Sequence, residues 1–377
     1  MNVKKLVVLT IFSLNIFIVF GQNSKLKITP QIKLPFDSLV KTRLLKSLEL
    51  FLIDKNLDLN KSKVVETNHY KQNIDFFDLL KNIEKSKKYN DTLFFKCYLK
   101  NVVLQPNKDY KIDLSYYGIA PNNEVINRLN FSLIARPFED LFKFYCPFEE
   151  NTKNWKSKKI GNIEFFYENN IDLDVAEDFE KYNSAIAKKF NLTPIQFKFY
   201  KCKDIQEVYK ILGVDYDISR NGEMRSGSFD ISNKVFLAGT NTDQYKHDLT
   251  HTYVGLKYPD SLRNWTAEEG FNIYTTDFWG ESSEQIFKYL KDFITSNPDS
   301  SLIKAFEKDI YLKYPIPIKY PLAAILVRKV ERELGFAKVL ELISCGEKDE
   351  LFFVKLEQLT GITKRTFDQV IKEELKR

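Results

Sequence analysis

The chain has 377 residues, 44% of them hydrophobic and 29% charged, with only 13 Gly and 12 Pro; this excludes disordered, collagenous and low-complexity classes and fits two domains, or one large enzyme domain with an appendage. Its 57 Lys and Arg stand against 51 Asp and Glu, and a formal charge of +6 spread over that length is no nucleic-acid footprint. Histidine occurs only at positions 69, 247 and 251, so chemistry that needs imidazole has few places to happen.

Residues 1–21 read as a cleavable secretory signal: Lys4 and Lys5, then an apolar run from Leu6 to Phe20, then Gly21 before Gln22. That run is broken by Ser13 and Asn15 and is shorter than the roughly 20 apolar residues of a bilayer span. The expectation is an exported protein, periplasmic or secreted, with no stable membrane span after cleavage. In such a compartment Cys97, Cys146, Cys202 and Cys345 could pair in three ways, and their spacing selects none; isolated small core residues are the other reading.

Along the chain, residues 36–54 and 73–86 carry apolar side chains at helical spacing, and strand-forming runs follow at 92–104, 110–119 and 126–135, separated by turn clusters such as Pro121-Asn122-Asn123. This predicts a small α+β domain over residues 22–152. A polar stretch at 149–155 marks a boundary, and a second domain is predicted over 153–377. That domain begins with strand at 163–167, helix at 175–190, strand at 195–200 and helix at 204–212. A hairpin-like pair around Gly227 and Val235 to Ala238 follows, then mostly helix from Asp243 on, including one that opens at Pro321 and stops at Gly335. His69, in a loop-like stretch, reads as an exposed surface residue.

The other two histidines, His247 and His251, are four residues apart in Lys246-His247-Asp248-Leu249-Thr250-His251. On a helix, positions i and i+4 project from one face, which lets two imidazoles meet one Zn2+ at about 2.0–2.1 Å. Leu249, Tyr253 and Leu256 would pack the other faces. The bland alternative is a histidine pair on a solvated helix. Downstream lies Asn264-Trp265-Thr266-Ala267-Glu268-Glu269-Gly270-Phe271-Asn272-Ile273-Tyr274, in which a carboxylate could supply a third ligand.

Together these two motifs resemble those of the gluzincin-type zinc metallopeptidases, the group with a peptidase MA-like domain. The resemblance covers about residues 160–377. It implies a mixed sheet half plus a helical half, an edge strand at Val235 to Ala238 before the histidine helix, and Zn2+ held by His247, His251 and Glu269, with Glu268 as the fallback ligand. It also implies hydrolysis of a peptide or protein substrate by metal-activated water. Tyr320, just before Pro321, is the candidate donor to the oxyanion, with Tyr314 as competitor and a packing role as the alternative.

The departure from the pattern is Asp248. Such peptidases carry Glu directly after the first histidine as general base; Asp has the same acid chemistry on a stem one methylene shorter, which sets its carboxylate roughly 1.5 Å further back, and a misplacement of about 1 Å can cost on the order of a hundredfold. Three readings follow: a peptidase whose pocket suits aspartate, a catalytically impaired zinc-binding pseudopeptidase acting as a peptide- or protein-binding module, and a structural protein with an incidental histidine pair. Retention of all three ligand positions favours the first.

Overall fold

A computed structural model describes residues 25–35, 37–66, 74–223, 226–231, 233–308 and 310–376. The expected signal segment and His69 lie outside the described residues. Among the described residues no helix is long and apolar enough to cross a membrane. The architecture is mixed α+β, and the chain divides into two compact units: residues up to Lys156 together with Cys202–Ser226, and Ser157–Lys201 together with Gly227 onward.

In chain order the first unit opens with strand β1 (Leu26–Ile28), helices α1 (Ser38–Asp54) and α2 (Ile74–Leu80), strands β2 (Lys96–Leu104), β3 (Tyr110–Ile119), β4 (Val125–Phe138) and β5 (Leu141–Tyr145), and the short helix α3 (Phe148–Thr152). Asp37 caps α1 by accepting from the Leu39 and Val40 amides, and the helix buries Leu44, Ser47, Leu48, Phe51 and Leu52, a helical stripe. Phe51 meets Phe144 of β5 with ring centroids 5.3 Å apart. The sheet runs β1-β2-β3-β4-β5, antiparallel except that β1 lies parallel to β2. One strand thus precedes the helices that the sequence placed first.

The chain then forms β6 (Lys156–Ile160), β7 (Ile163–Tyr167), α4 (Leu173–Phe190), β8 (Phe197–Cys202), α5 (Ile205–Ile211), β9 (Val214–Asp217), β10 (Ser226–Asp230) and β11 (Val235–Gly239). β9 departs from the sequence-based boundary. It pairs antiparallel with β4 along Leu129–Phe131, on the edge that β4 also lends to β5, so residues 202–226 belong with the first unit although they follow three strands of the second. The cause is the length of β4, 14 residues, which leaves ladder groups free beyond β5.

The second unit's sheet has the order β10-β11-β8-β7-β6. Parallel β7 and β8 are joined through α4, whose buried face is Ala176, Phe179, Asn183, Ile186, Ala187 and Phe190. β11 is flanked on both sides, so Val235 to Ala238 is an interior strand rather than the expected edge; its five residues are all buried, and an edge position would waste that apolar run. Helices α6 (Lys246–Lys257), α7 (Trp265–Thr275), α8 (Ser283–Ser296), α9 (Leu302–Phe306), α10 (Lys319–Leu334), α11 (Phe336–Ile343), α12 (Asp349–Thr360) and α13 (Phe367–Glu374) complete the unit. The helical half is interrupted by two small antiparallel ribbons, β12 (Asp277–Phe278) with β13 (Glu281–Ser282) and β14 (Tyr311–Lys313) with β15 (Ile316–Pro317). The sequence reading took this region as helix.

Two contacts position the later site. Tyr253, buried on α6, donates its hydroxyl hydrogen to Asn183 Oδ1 of α4 at 2.5 Å and accepts from the Ile195 amide at 2.9 Å, pinning the back of α6. Leu249 is buried beside it, whereas Leu256 is 46% exposed and packs nothing of the kind expected. On α7, Gly270 faces α10 so closely that a Cβ there would stand 2.9 Å from the Ala323 carbonyl carbon and 3.0 Å from the Ala324 nitrogen. Those are backbone atoms, which cannot swing aside.

Gly270→Ala is therefore expected to push α7 off α10. Thermal unfolding should show a loss of about 1–3 kcal/mol, the usual range for overpacking; an unchanged Tm would refute the close approach.

Candidate metal centre

His247 and His251 project from the same face of α6, and Glu269 reaches them from the first half of α7. The two imidazole Nε2 atoms are 3.1 Å apart, and Glu269 presents Oε2 to His247 Nε2 and Oε1 to His251 Nε2, each at 3.4 Å. One ligand atom from each of the three residues lies within 4.8 Å of the others. His247 and Glu269 are buried, and His251 nearly so.

The second nitrogen of each ring is held from behind. His247 Nδ1 is 3.0 Å from the Asp277 carbonyl oxygen, which can only accept, so Nδ1 carries the hydrogen and Nε2 is the nitrogen turned toward Glu269. His251 Nδ1 sits 2.5 Å from Glu268 Oε1 with the same consequence. Glu268 is itself buried and charge-matched by Arg263, whose Nε donates to Oε2 at 2.9 Å and whose Nη2 donates to Oε1 at 2.5 Å. A third Arg263 nitrogen, Nη1, donates to Asp260 at 2.9 Å. Gly255 of α6 makes room for this guanidinium, since a Cβ there would lie 3.3 Å from Arg263 Nη1. Of the two adjacent glutamates, then, Glu269 faces the Nε2 side of the rings and Glu268 the Nδ1 side.

Local sequence explains the presentation of α7. Asn264 caps the helix by accepting from the Ala267 amide at 3.1 Å, while its amide group donates to the Gly346 and Lys348 carbonyls at 2.7 and 3.0 Å. Trp265, the first helical residue, lies flat on the His251 ring, with centroids 4.8 Å apart and planes 4° from parallel. One turn after Glu269, Asn272 sets its Nδ2 3.0 Å from His251 Nε2 and leaves Oδ1 buried without a hydrogen-bond partner.

The carboxylate and ring electrostatics are coupled. Burial alone would raise the Glu269 pKa, but the His251 charge and the close polar contacts of both imidazoles outweigh it and hold it down at about 2. Burial alone would lower that of His251, but the Glu269 charge, with hydrogen bonds to Glu268 and Glu269, pushes it up to about 10. Without a cation, a proton on His251 supplies the positive charge that Glu269 lacks.

The donor set fits a divalent cation. Tetrahedral Zn2+ with bonds of about 2.0–2.1 Å separates its ligand atoms by about 3.3–3.4 Å, close to the 3.1 and 3.4 Å found here. Glu269 Oε2 is buried with no hydrogen-bond partner, an orphan that a cation would satisfy.

A cavity of about 530 Å3 opens over the cluster, within the ~300–1,000 Å3 typical of ligand sites. Asp248 lines it; burial raises its pKa, with Glu269 and Asp277 adding to the rise and the two imidazoles opposing it. Tyr320, in the first turn of α10, lines the same cavity, and burial, helped by the Glu269 charge, pushes its phenol up to about 12. Tyr314 does not line it and is 83% exposed. Arg263, the Asp277 carbonyl, Asn272 and the ribbon residues Phe278 and Trp279 escaped the sequence reading; only Asn272, three residues after Glu269, carried a local signal. All four cysteines are free thiols, three of them buried.

No family model matches the chain, and no curated protein matches it. Among solved structures, an M1 zinc metallopeptidase from Deinococcus radiodurans, a mutant bound to a Tyr-Ser-Ala substrate, is similar at 8% sequence identity and a TM-score of 0.31. The match covers 74% of this chain and 64%, under two thirds, of that one.

The pKa shifts give a pH signature for the metal-free protein. Glu269, lowered from 4.5 to about 2, contributes stability above about pH 4.5 that is lost as pH falls toward 2. His251, raised from 6.5 to about 10, contributes below pH 6.5 and loses that contribution as pH rises toward 10. In chelator, Tm should therefore be highest between these limits, and His251→Ala should flatten the alkaline limb; an alkaline limb of equal slope in the variant would exclude the pair as its source.

Proposed function

We propose that this chain is a zinc-dependent peptidase, hydrolysing peptide bonds of a peptide or protein substrate, and that export through its N-terminal segment brings it to the periplasm or the outside. The observation that carries the reading is the convergence of His247 Nε2, His251 Nε2 and an orphaned Glu269 oxygen at the base of one cavity. These three residues would hold the ion in a gluzincin-type arrangement, with Glu268 and the Asp277 carbonyl orienting the rings from behind. Bound Zn2+ supplies a Lewis acid that polarises a carbonyl and makes water a nucleophile near neutral pH.

The rest falls to the chain's own side chains. Asp248 follows the first histidine and lines the cavity. It takes a proton from the attacking water and returns it to the departing amine; its raised pKa brings base and acid forms nearer to the working pH. Tyr320 stays protonated with a pKa of about 12 and donates its O–H to the carbonyl oxygen as charge develops there. Stacking on Trp265 and the bond to Glu268 fix the His251 ring plane, so the site needs little rearrangement. The shorter Asp248 stem supports a second reading, a binding module that keeps its ion and has lost catalysis.

Metal analysis of the purified chain should find about one zinc per chain in the wild type and none in His247→Ala. A wild type that excludes zinc at micromolar concentration sinks the site. Asp248→Asn should keep its zinc and lose about 10²–10⁴ in kcat on a mixed peptide library. If the wild type is inert and Asp248→Glu gains cleavage, the second reading replaces the first.

A further inference from the structure

The ribbon of β12 and β13 carries a residue choice that its own fold does not favour. Phe278 pairs with Glu281, leaving Trp279 and Gly280 as a two-residue turn. Both have positive φ, 54° and 80°, a pattern that suits Asn-Gly. A bulky aromatic residue at positive φ is a conformational outlier, and such strain persists where the position serves a function. Burial offsets little of it, because Trp279 is 43% exposed. The exposed indole lines the cavity over the histidines.

Trp279 also continues an aromatic surface that begins at the imidazoles. His247 meets Phe278 edge-on at 5.2 Å, and Phe278 in turn meets Trp279 at 6.5 Å and Tyr320 at 6.2 Å, both edge-on. Pro315 and Pro317, from the second ribbon, complete this wall. Trp265, 47% exposed, lines the same cavity, so two of the chain's three tryptophans border one site. This surface borders the cavity that a peptide would enter to bring its carbonyl to the imidazoles, and so offers a place for a neighbouring side chain. Apolar rings beside a polar centre match a side chain that is itself a flat apolar ring.

We infer that Trp279, held at a strained turn, forms with Phe278, Tyr320 and the two prolines a subsite that selects peptides with an aromatic side chain next to the bond being cleaved. The inference rests on the peptidase reading for its reaction, but the ring surface is present whether or not Asp248 catalyses.

The test uses the zinc-loaded full chain and paired peptides that differ only by Phe or Ala beside the scissile bond. Wild type should favour Phe by about 10–200-fold in kcat/KM, the range that one apolar contact supports. Trp279→Asn should bring that ratio close to one while Tm stays the same or rises, because Asn suits the turn. Trp279→Phe, which keeps a ring, should retain most of the preference. A ratio unchanged in Trp279→Asn, or a wild type with no preference, overturns the subsite. If the wild type cleaves neither peptide, equilibrium binding of the same pair separates the two ideas. Tighter binding of the Phe peptide that disappears in Trp279→Asn upholds the subsite while hydrolysis fails, and equal or absent binding of both overturns it.

Discussion

Two consecutive carboxylates, Glu268 and Glu269, are buried on the first turns of one helix, and neither can stay ionised there without a matched positive charge. Arg263 answers the first with two hydrogen bonds from its guanidinium. Among the described residues no fixed charge pairs with the second; the partners of Glu269 there are imidazoles, whose charge is optional. The site must therefore recruit a cation or keep a proton on His251. Adjacent residues on a helix diverge by about 100°, so the two acids engage opposite nitrogens of the same ring. One of them orients His251, and the other would hold a bound cation together with it.

This charge problem explains why the surrounding framework is so exacting. Asn264 starts α7 at a fixed residue, Gly270 lets α10 approach within backbone contact, and Gly255 clears a place for Arg263. Tyr253 ties the reverse side of α6 to α4. Each device acts on the spacing between α6 and α7, on which both the ring hydrogen bonds and the convergence at Glu269 depend. Two glycines inside helices each weaken those helices by roughly 0.5–1 kcal/mol relative to alanine, a small term beside a displaced buried ion pair at about 3–5 kcal/mol.

Much of this was legible in the residues and some of it was not. His247, His251 and Glu269 fall within one short span, and helical geometry converts spacing into direction without any tertiary information. The stop at Gly335 was legible for the same reason, being local backbone chemistry; its φ is +84°. Arg263 sits in a loop, and no spacing rule says that it will fold back onto Glu268. The Asp277 carbonyl has no side-chain signature at all. The two ribbons are too short, at two or three residues a strand, to show an alternating pattern, so a region of helices absorbed them. The edge position expected for β11 comes from the peptidase resemblance and not from its own residues; the outer neighbour β10 contains Gly227, where a Cβ would lie 2.2 Å from the Tyr245 ring.

The pairing of β9 with β4 has a consequence for how the chain is made. Synthesis runs from the N-terminus, and domains usually fold in that order as they emerge from the ribosome. Here the first unit is incomplete until residue 226, by which point β6, β7, α4 and β8 of the other unit have already been extruded. Until then Leu129 to Phe131 of β4 present an unfilled strand edge while strands of the other sheet are already made. The nascent chain has to keep two partial sheets apart, and the 18-residue helix α4, which covers the apolar faces of β7 and β8 as soon as it forms, is the local element available to do it.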